Sequence, residues 1–155
     1  MTVRTERRPA PRVGREPRRR AREAAVQMLY QWEVGRFSMP DVIRTFWLHE
    51  QPATARLADD YRTFAERLAT GVVDSVANLD ALIAEAAEHW RIERMNVMDR
   101  LILRLAVYEF LHEGATPSRV ILNEALELAR VFSDEHSVKF VNGILDAIRR
   151  RLVRE

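Results

Sequence analysis

The sequence predicts an all-α protein, a bundle of about six to seven helices. Three observations carry this. Apolar residues recur at three- and four-residue spacing from residue 18 almost to the end, the period of an amphipathic helix. No stretch alternates as a half-buried strand would. The breaks in the pattern fall at Gly, Pro and capping residues, where helices stop and start. With 155 residues, 47% of them hydrophobic, the chain can form one domain, or two small subdomains sharing a core.

Residues 1–17 stand apart. They hold Pro9, Pro11, Pro17, Gly14 and many charges, with almost nothing to bury, so a disordered basic arm is expected there. The folded part is expected over 18–155. Its first helix carries Ala21, Ala25, Met28 and Trp32 on one stripe, widened by Ala24 and Leu29, and stops at Gly35. A second opens at Met39-Pro40-Asp41, turns Val42, Ile43, Phe46 and Trp47 inward, and breaks at Gln51-Pro52. A third runs from Leu57 to about Val73 through Tyr61, Phe64, Ala65 and Leu68. Gly71 marks a bend into a fourth, Asp74 to Trp90, which buries Val76, Leu79, Ile83 and Ala86.

Asn96 reads as an N-cap with Asp99 in the first turn behind it, a favourable place for an acid. Leu101 to Leu111 is nearly all apolar, so this helix should be the most buried. Gly114 ends it. Thr116-Pro117 starts the next, with Pro at the first helical position, and Val120, Ile121, Ala125, Leu128 and Ala129 face the core. Ser133 precedes a final helix with Val141, Ile144, Leu145, Ile148 and Leu152 inward. Asn142-Gly143 lies inside that pattern, where Gly costs about 1 kcal/mol against Ala. Close approach of another helix would explain it.

The charge is unevenly placed. The first 22 residues carry nine arginines and two glutamates, a formal +7, while the remainder carries 16 basic and 21 acidic residues, a formal −5. A short basic arm on an acidic body points to a polyanionic partner. Arg18, Arg19, Arg20 and Arg22 crowd a helix N-terminus, the wrong end of the helix dipole for cations, so outside compensation is expected, most simply nucleic acid. Of 25 basic residues only Lys139 is lysine. Arginine suits bidentate phosphate contact. An arginine-rich arm that orders on binding fits RNA at least as well as DNA. Phe140, beside Lys139, sits one position off the last helix's apolar stripe. Periodicity alone favours an edge-of-core aromatic, and stacking on an unpaired base is the alternative.

Other chemistries find no support. The chain has no Cys, which excludes disulfides and thiolate metal sites. His49, His89, His112 and His136 form no ligand spacing, so no metal and no cofactor is expected. Asp134-Glu135-His136 is most simply a charged helix start. There is no glycine-rich phosphate loop and no nucleophile–base constellation, so an enzyme is not expected. No apolar run approaches a membrane span, and no signal peptide pattern opens the chain, so a cytoplasmic protein is expected.

Four motifs in order resemble the NusB family of bacterial transcription antitermination factors. They are Arg18-Arg19-Arg20-Ala21-Arg22-Glu23-Ala24-Ala25-Val26-Gln27-Met28-Leu29-Tyr30, Leu103 to Glu109, Ile121 to Ala129, and Lys139-Phe140-Val141-Asn142-Gly143-Ile144-Leu145. The resemblance covers about 18–152 and is weakest over 36–60. It implies an N-terminal and a C-terminal helical subdomain. It implies binding to boxA, a single-stranded RNA element of ribosomal RNA operon leaders, together with NusE, a small-subunit ribosomal protein. The pair would serve an antitermination complex of RNA polymerase. Arg18, Arg19, Arg20 and Arg22 match the family's arginine-rich RNA-binding motif. Lys139 and Phe140 fall in an RNA-binding stretch, and this assigns Phe140 to RNA against the periodicity. Tyr30 and Asp99 fall where the family has an aromatic and an acid of the functional surface, assigned here to the NusE face.

Two departures stand out. His136 replaces an Asp before the Ser-x-Lys-Phe stretch, and a histidine there would make RNA affinity pH-dependent. The arm before Arg18 adds Arg4, Arg7, Arg8, Arg12 and Arg15, which would contribute nonspecific phosphate contacts or none. Some ribosomal RNA cytosine methyltransferases carry a similar helical domain before a catalytic α/β domain, but no strand–glycine-loop–helix pattern occurs here. A helical protein–protein module with a basic arm for an acidic partner is the alternative from another class. A homodimer that hides the arginine surface is left open.

Overall fold

The computed structural model describes residues 15–49, 58–88 and 90–153. Seven α-helices follow in order: α1 Arg15–Glu33, α2 Met39–Phe46, α3 Ala58–Asp74, α4 Val76–Ala87, α5 Val97–His112, α6 Ser118–Phe132 and α7 Glu135–Val153. Two 3-10 turns, Trp47–His49 and Ile92–Arg94, lie between them. The protein is all-α, with no strand among the described residues. None of the described helices is long and apolar enough to cross a membrane. Residues 1–14 of the arm expected over 1–17, the break at Gln51-Pro52, the helix start at Leu57, and His89 lie outside the described residues.

The helices form two groups around one spine. α1 packs on α3 and holds α2, while α6 and α7 pack on each other with α4 against α7. α5 touches both groups. Its seven residues Leu101 to Val107 are all buried, as a helix covered on every side requires. Asn96 caps it, its side-chain oxygen accepting from the Met98 N–H at 2.8 Å and the Asp99 N–H at 3.4 Å. Ser38 does the same for α2, accepting from the Asp41 N–H.

α1 and α5 run antiparallel. Arg22 near the start of α1 pairs with Glu109 late in α5, and Glu33 at the end of α1 pairs with Arg100 and Arg104 earlier in α5. Arg104 also holds Asp80 of α4 through two bonds of 2.8 and 2.9 Å. These ion pairs tie α1, α4 and α5 together beneath the surface.

Several local expectations are corrected. α1 begins at Arg15, three residues before the apolar pattern does. α3 does not bend at Gly71 but runs to Asp74, and α4 starts after Ser75. A Cβ on Gly71 would lie 2.2 Å from the Tyr108 ring, so this glycine admits Tyr108 of α5 against the α3 backbone. α4 ends at Ala87, where Glu88 takes a left-handed φ of 39°, and Trp90 stands in the connection rather than on the helix. Pro117 is the cap of α6 and not its first residue. Val120 and Leu152 are exposed, at 42% and 38%. A Cβ on Gly143 would meet nothing within 4 Å, so no helix approaches it.

Candidate nucleic-acid interface

The four arginines at the start of α1 divide into two kinds. One turn of helix spans 3.6 residues, so Arg18 and Arg22 share a face while Arg19 and Arg20 fan out from it. Arg22 is 4% exposed and donates from Nε and Nη2 to the two carboxylate oxygens of Glu109, each at 2.8 Å. Burial alone would pull its guanidinium down, but the Glu109 bond and the charges of Glu109, Glu124 and Glu113 hold it above its ordinary value. Arg19 donates to both oxygens of Glu124 on α6, at 3.0 and 2.8 Å. The expectation that all four arginines face a ligand is thus corrected. Arg22 is committed to the interior, because a buried guanidinium needs a paired carboxylate, and Arg19 is held against α6.

Arg18 and Arg20 are exposed. The Arg18 guanidinium lies 4.2 Å from the centroid of the Phe64 ring, within cation–π range. Arg22 and Arg67 lie 5.5 and 5.1 Å from the same ring. Phe64 is buried, so it forms a floor under three cations. Arg67 of α3 adds an exposed cation that charge counting along the N-terminus missed, and Glu113 neutralises it in part through bonds of 2.9 to 3.1 Å. Arg20 has no acidic partner among the described residues. The compensation required at this helix end comes half from inside, through Glu109, Glu113 and Glu124.

Lys139 and Phe140 lie elsewhere. Glu109 and Asp99 are ten residues apart on α5, about 15 Å along the axis. Arg22 docks at the Glu109 end. The N-terminal part of α7 docks at the Asp99 end, where Ser137 and His136 act on the Asp99 carboxyl. The start of α7 and the arginine-bearing turns of α1 therefore meet α5 at different ends. Lys139 and His136 are exposed, and Phe140 is half-buried. Phe140 packs on the core and meets Trp90 edge to face, with centroids 5.6 Å apart. Trp90 is 55% exposed, an exposure that periodicity does not reveal because the residue closes an apolar helical pattern.

Tyr30 is exposed near the end of α1, one turn before Glu33. Val34 and Phe37, 48% and 57% exposed, follow it. Asp99 is buried, and its Oδ1 has no hydrogen-bond partner. Burial pushes its carboxyl up, further than the Ser137 hydroxyl and His136 bring it down. Asp99 thus does not stand beside Tyr30 on an open surface. It lies in the seam between α5 and α7.

One other charged cavity, of about 490 Å³, is lined by Glu33, Asp80, Arg100 and Arg104. These groups satisfy one another, so the cavity serves the packing of α1, α4 and α5. Among the described residues no cluster of His, Asp and Glu is arranged to hold a metal ion.

Comparison with known proteins shows the family. The family model described as "NusB family" matches residues 19–150. The transcription antitermination protein NusB of Solibacter usitatus is 46% identical over 139 residues, covering 87% of this chain and 90% of that protein. The structure of T. maritima NusB superposes with a TM-score of 0.73 at 34% identity, covering 86% of this chain and 91% of the other. A crystal structure of the antitermination factors NusB and NusE in complex with double-stranded RNA has the same fold, with a TM-score of 0.76 at 24% identity over 88% of this chain and 98% of the other. With its helices, its arginine-bearing first helix and these relatives in agreement, the chain belongs to the NusB family.

Proposed function

We propose that this chain is a transcription antitermination factor that binds single-stranded boxA RNA of ribosomal RNA operon leaders together with NusE. It acts in the cytoplasm as an adaptor to the RNA polymerase antitermination complex, with no catalytic step of its own. The observation that carries the reading is the exposed pair Arg18 and Arg20, set on the first turns of α1. Relatives named for antitermination, and a structural neighbour that holds NusE and RNA, support it.

The two ends of α5 divide the work. Arg18 and Arg20 contact phosphates, each neutralised phosphate adding about −0.7 to the salt slope for a single strand. Lys139 and Phe140, on α7, engage the same strand at a second place. Tyr30, with Val34 and Phe37 beside it in sequence, offers apolar surface for the ribosomal protein. Asp99 acts on that face indirectly, through the α5–α7 seam. Partner and RNA held on separate surfaces of one protein strengthen each other by effective concentration. His136 is exposed one turn before Phe140 and belongs to the proposed RNA surface. An unchanged RNA affinity of His136→Ala would remove it from that surface.

The test is fluorescence anisotropy with labelled boxA RNA and a scrambled strand of equal length and charge, with and without the ribosomal protein. Selective binding is expected, strengthened by the partner and weakened by Arg18→Ala with Arg20→Ala. Equal binding to both strands would leave a basic surface without the proposed specificity.

A further inference from the structure

The geometry points to a nucleobase platform made by Trp90 with Phe140, approached across the bare backbone at Gly143. This rests on the RNA reading above and deepens it, because Trp90 lies outside every motif that suggested RNA binding.

Trp90 is 55% exposed although its ring meets Phe140, which packs on the core. A side chain of this size is costly to leave in water, and its backbone is not free to move away. Its N–H donates to the Ala87 carbonyl at 3.1 Å, and its ring meets Phe140 at an interplanar angle of 77°. In such an edge-to-face pair each ring keeps at least one face clear of its partner. Phe140 is half-buried and packs on the core, so the pair is anchored at one end and open at the other. That is the requirement for a stacking surface that loses little freedom on binding.

The surroundings fit a base with its phosphate. Lys139, adjacent to Phe140, is exposed and supplies a cation. Gly143 lies one turn beyond Phe140 on α7, and a Cβ there would meet nothing within 4 Å. Packing therefore does not explain a glycine inside a helix, where it is unfavourable. A flat ligand lying along the helix beside Phe140 does, since a methyl group would stand in its way. By helical spacing Lys139, Phe140 and Gly143 share one edge of α7.

The full chain would be titrated with single-stranded boxA RNA and with an abasic strand of the same length, which keeps the phosphates and lacks the bases. Trp90→Ala is expected to weaken binding of the intact strand by roughly 5- to 150-fold. The abasic strand and the salt slope should be unaffected. Trp90→Phe should restore much of the loss. Gly143→Ala should raise the melting temperature while weakening the intact strand, a combination that a purely structural glycine does not produce. If the unaltered protein fails to prefer the intact strand, the RNA reading itself falls. If it does prefer that strand and Trp90→Ala binds equally well, the platform alone is overturned. Weaker binding of the ribosomal protein with unchanged RNA affinity would also overturn it, by assigning the ring pair to the protein interface. Gly143→Ala with unaltered affinity would overturn the approach across α7.

Discussion

Arg20 and Arg22 stand two residues apart on α1 and answer to different forces. The Arg22 guanidinium is enclosed and matched by both oxygens of Glu109. Removing one partner of such a pair strands the other charge, at a cost of about 3–5 kcal/mol. Arg22→Ala is therefore expected to lower stability by that amount in denaturant unfolding. Arg22→Met with Glu109→Leu should recover most of the loss, because replacing both charges leaves nothing unpaired. Arg20 is exposed and lacks an acidic partner among the described residues. Arg20→Ala should change stability by less than about 0.5 kcal/mol and flatten the salt slope of RNA binding by about 0.7. Any loss of RNA binding by Arg22→Ala is expected to follow its loss of stability, and comparing melting curves with binding separates the two arginines.

At the scale of elements, α5 is the spine on which the others are arranged. Its apolar residues pack in every direction, and its charges Arg100, Arg104 and Glu109 each take a partner from α1. The crossing of α3 over α5 depends on Gly71, since the Tyr108 ring occupies the space a side chain would need. Tyr108 in turn lies against His112, with ring centroids 4.5 Å apart, and has little room to yield. Gly71→Ala is expected to destabilise by about 1–3 kcal/mol, the usual cost of overpacking, despite the better helix propensity of Ala. A melting temperature equal to that of the unaltered chain would show that the helices part without penalty.

For the whole molecule, two carboxylates give opposite pH dependences. Burial pushes Glu33 up, but the bonds and charges of Arg100 and Arg104 outweigh it and hold Glu33 below its ordinary 4.5. Its pairing therefore stabilises the fold fully above pH 4.5 and is lost as pH falls through the lower folded value. Asp99 is held above its ordinary 3.8 by burial. Its ionisation therefore costs stability at neutral pH, a penalty relieved as pH falls through the raised value and gone below 3.8. Glu33→Gln should lower the melting temperature at pH 7, and Asp99→Asn should raise it. Both differences should shrink on acidification, and thermal melts between pH 3 and 7 would show it. A pH-independent effect of Asp99→Asn would mean that its carboxyl is not strained by burial.

Helix content and order were legible in the chain because apolar spacing is a local property, and so were caps such as Asn96 and the stop near Gly35. The arginine cluster was visible as composition. Its division into interior and surface cations was not, because Glu109 and Glu124 lie 87 and 105 residues away in sequence. The exposure of Trp90 was not legible, since nothing local distinguishes a tryptophan that ends a helix from one exposed just past it. The same holds for the glycines, where the reading of Gly71 as a bend and Gly143 as a contact was inverted. Periods, breaks and the charge of each segment are local properties and can be read along the chain. Which charges meet, which glycines are crowded and which aromatic stays in water depend on distances between residues far apart along the chain, and so emerge only with the packed fold.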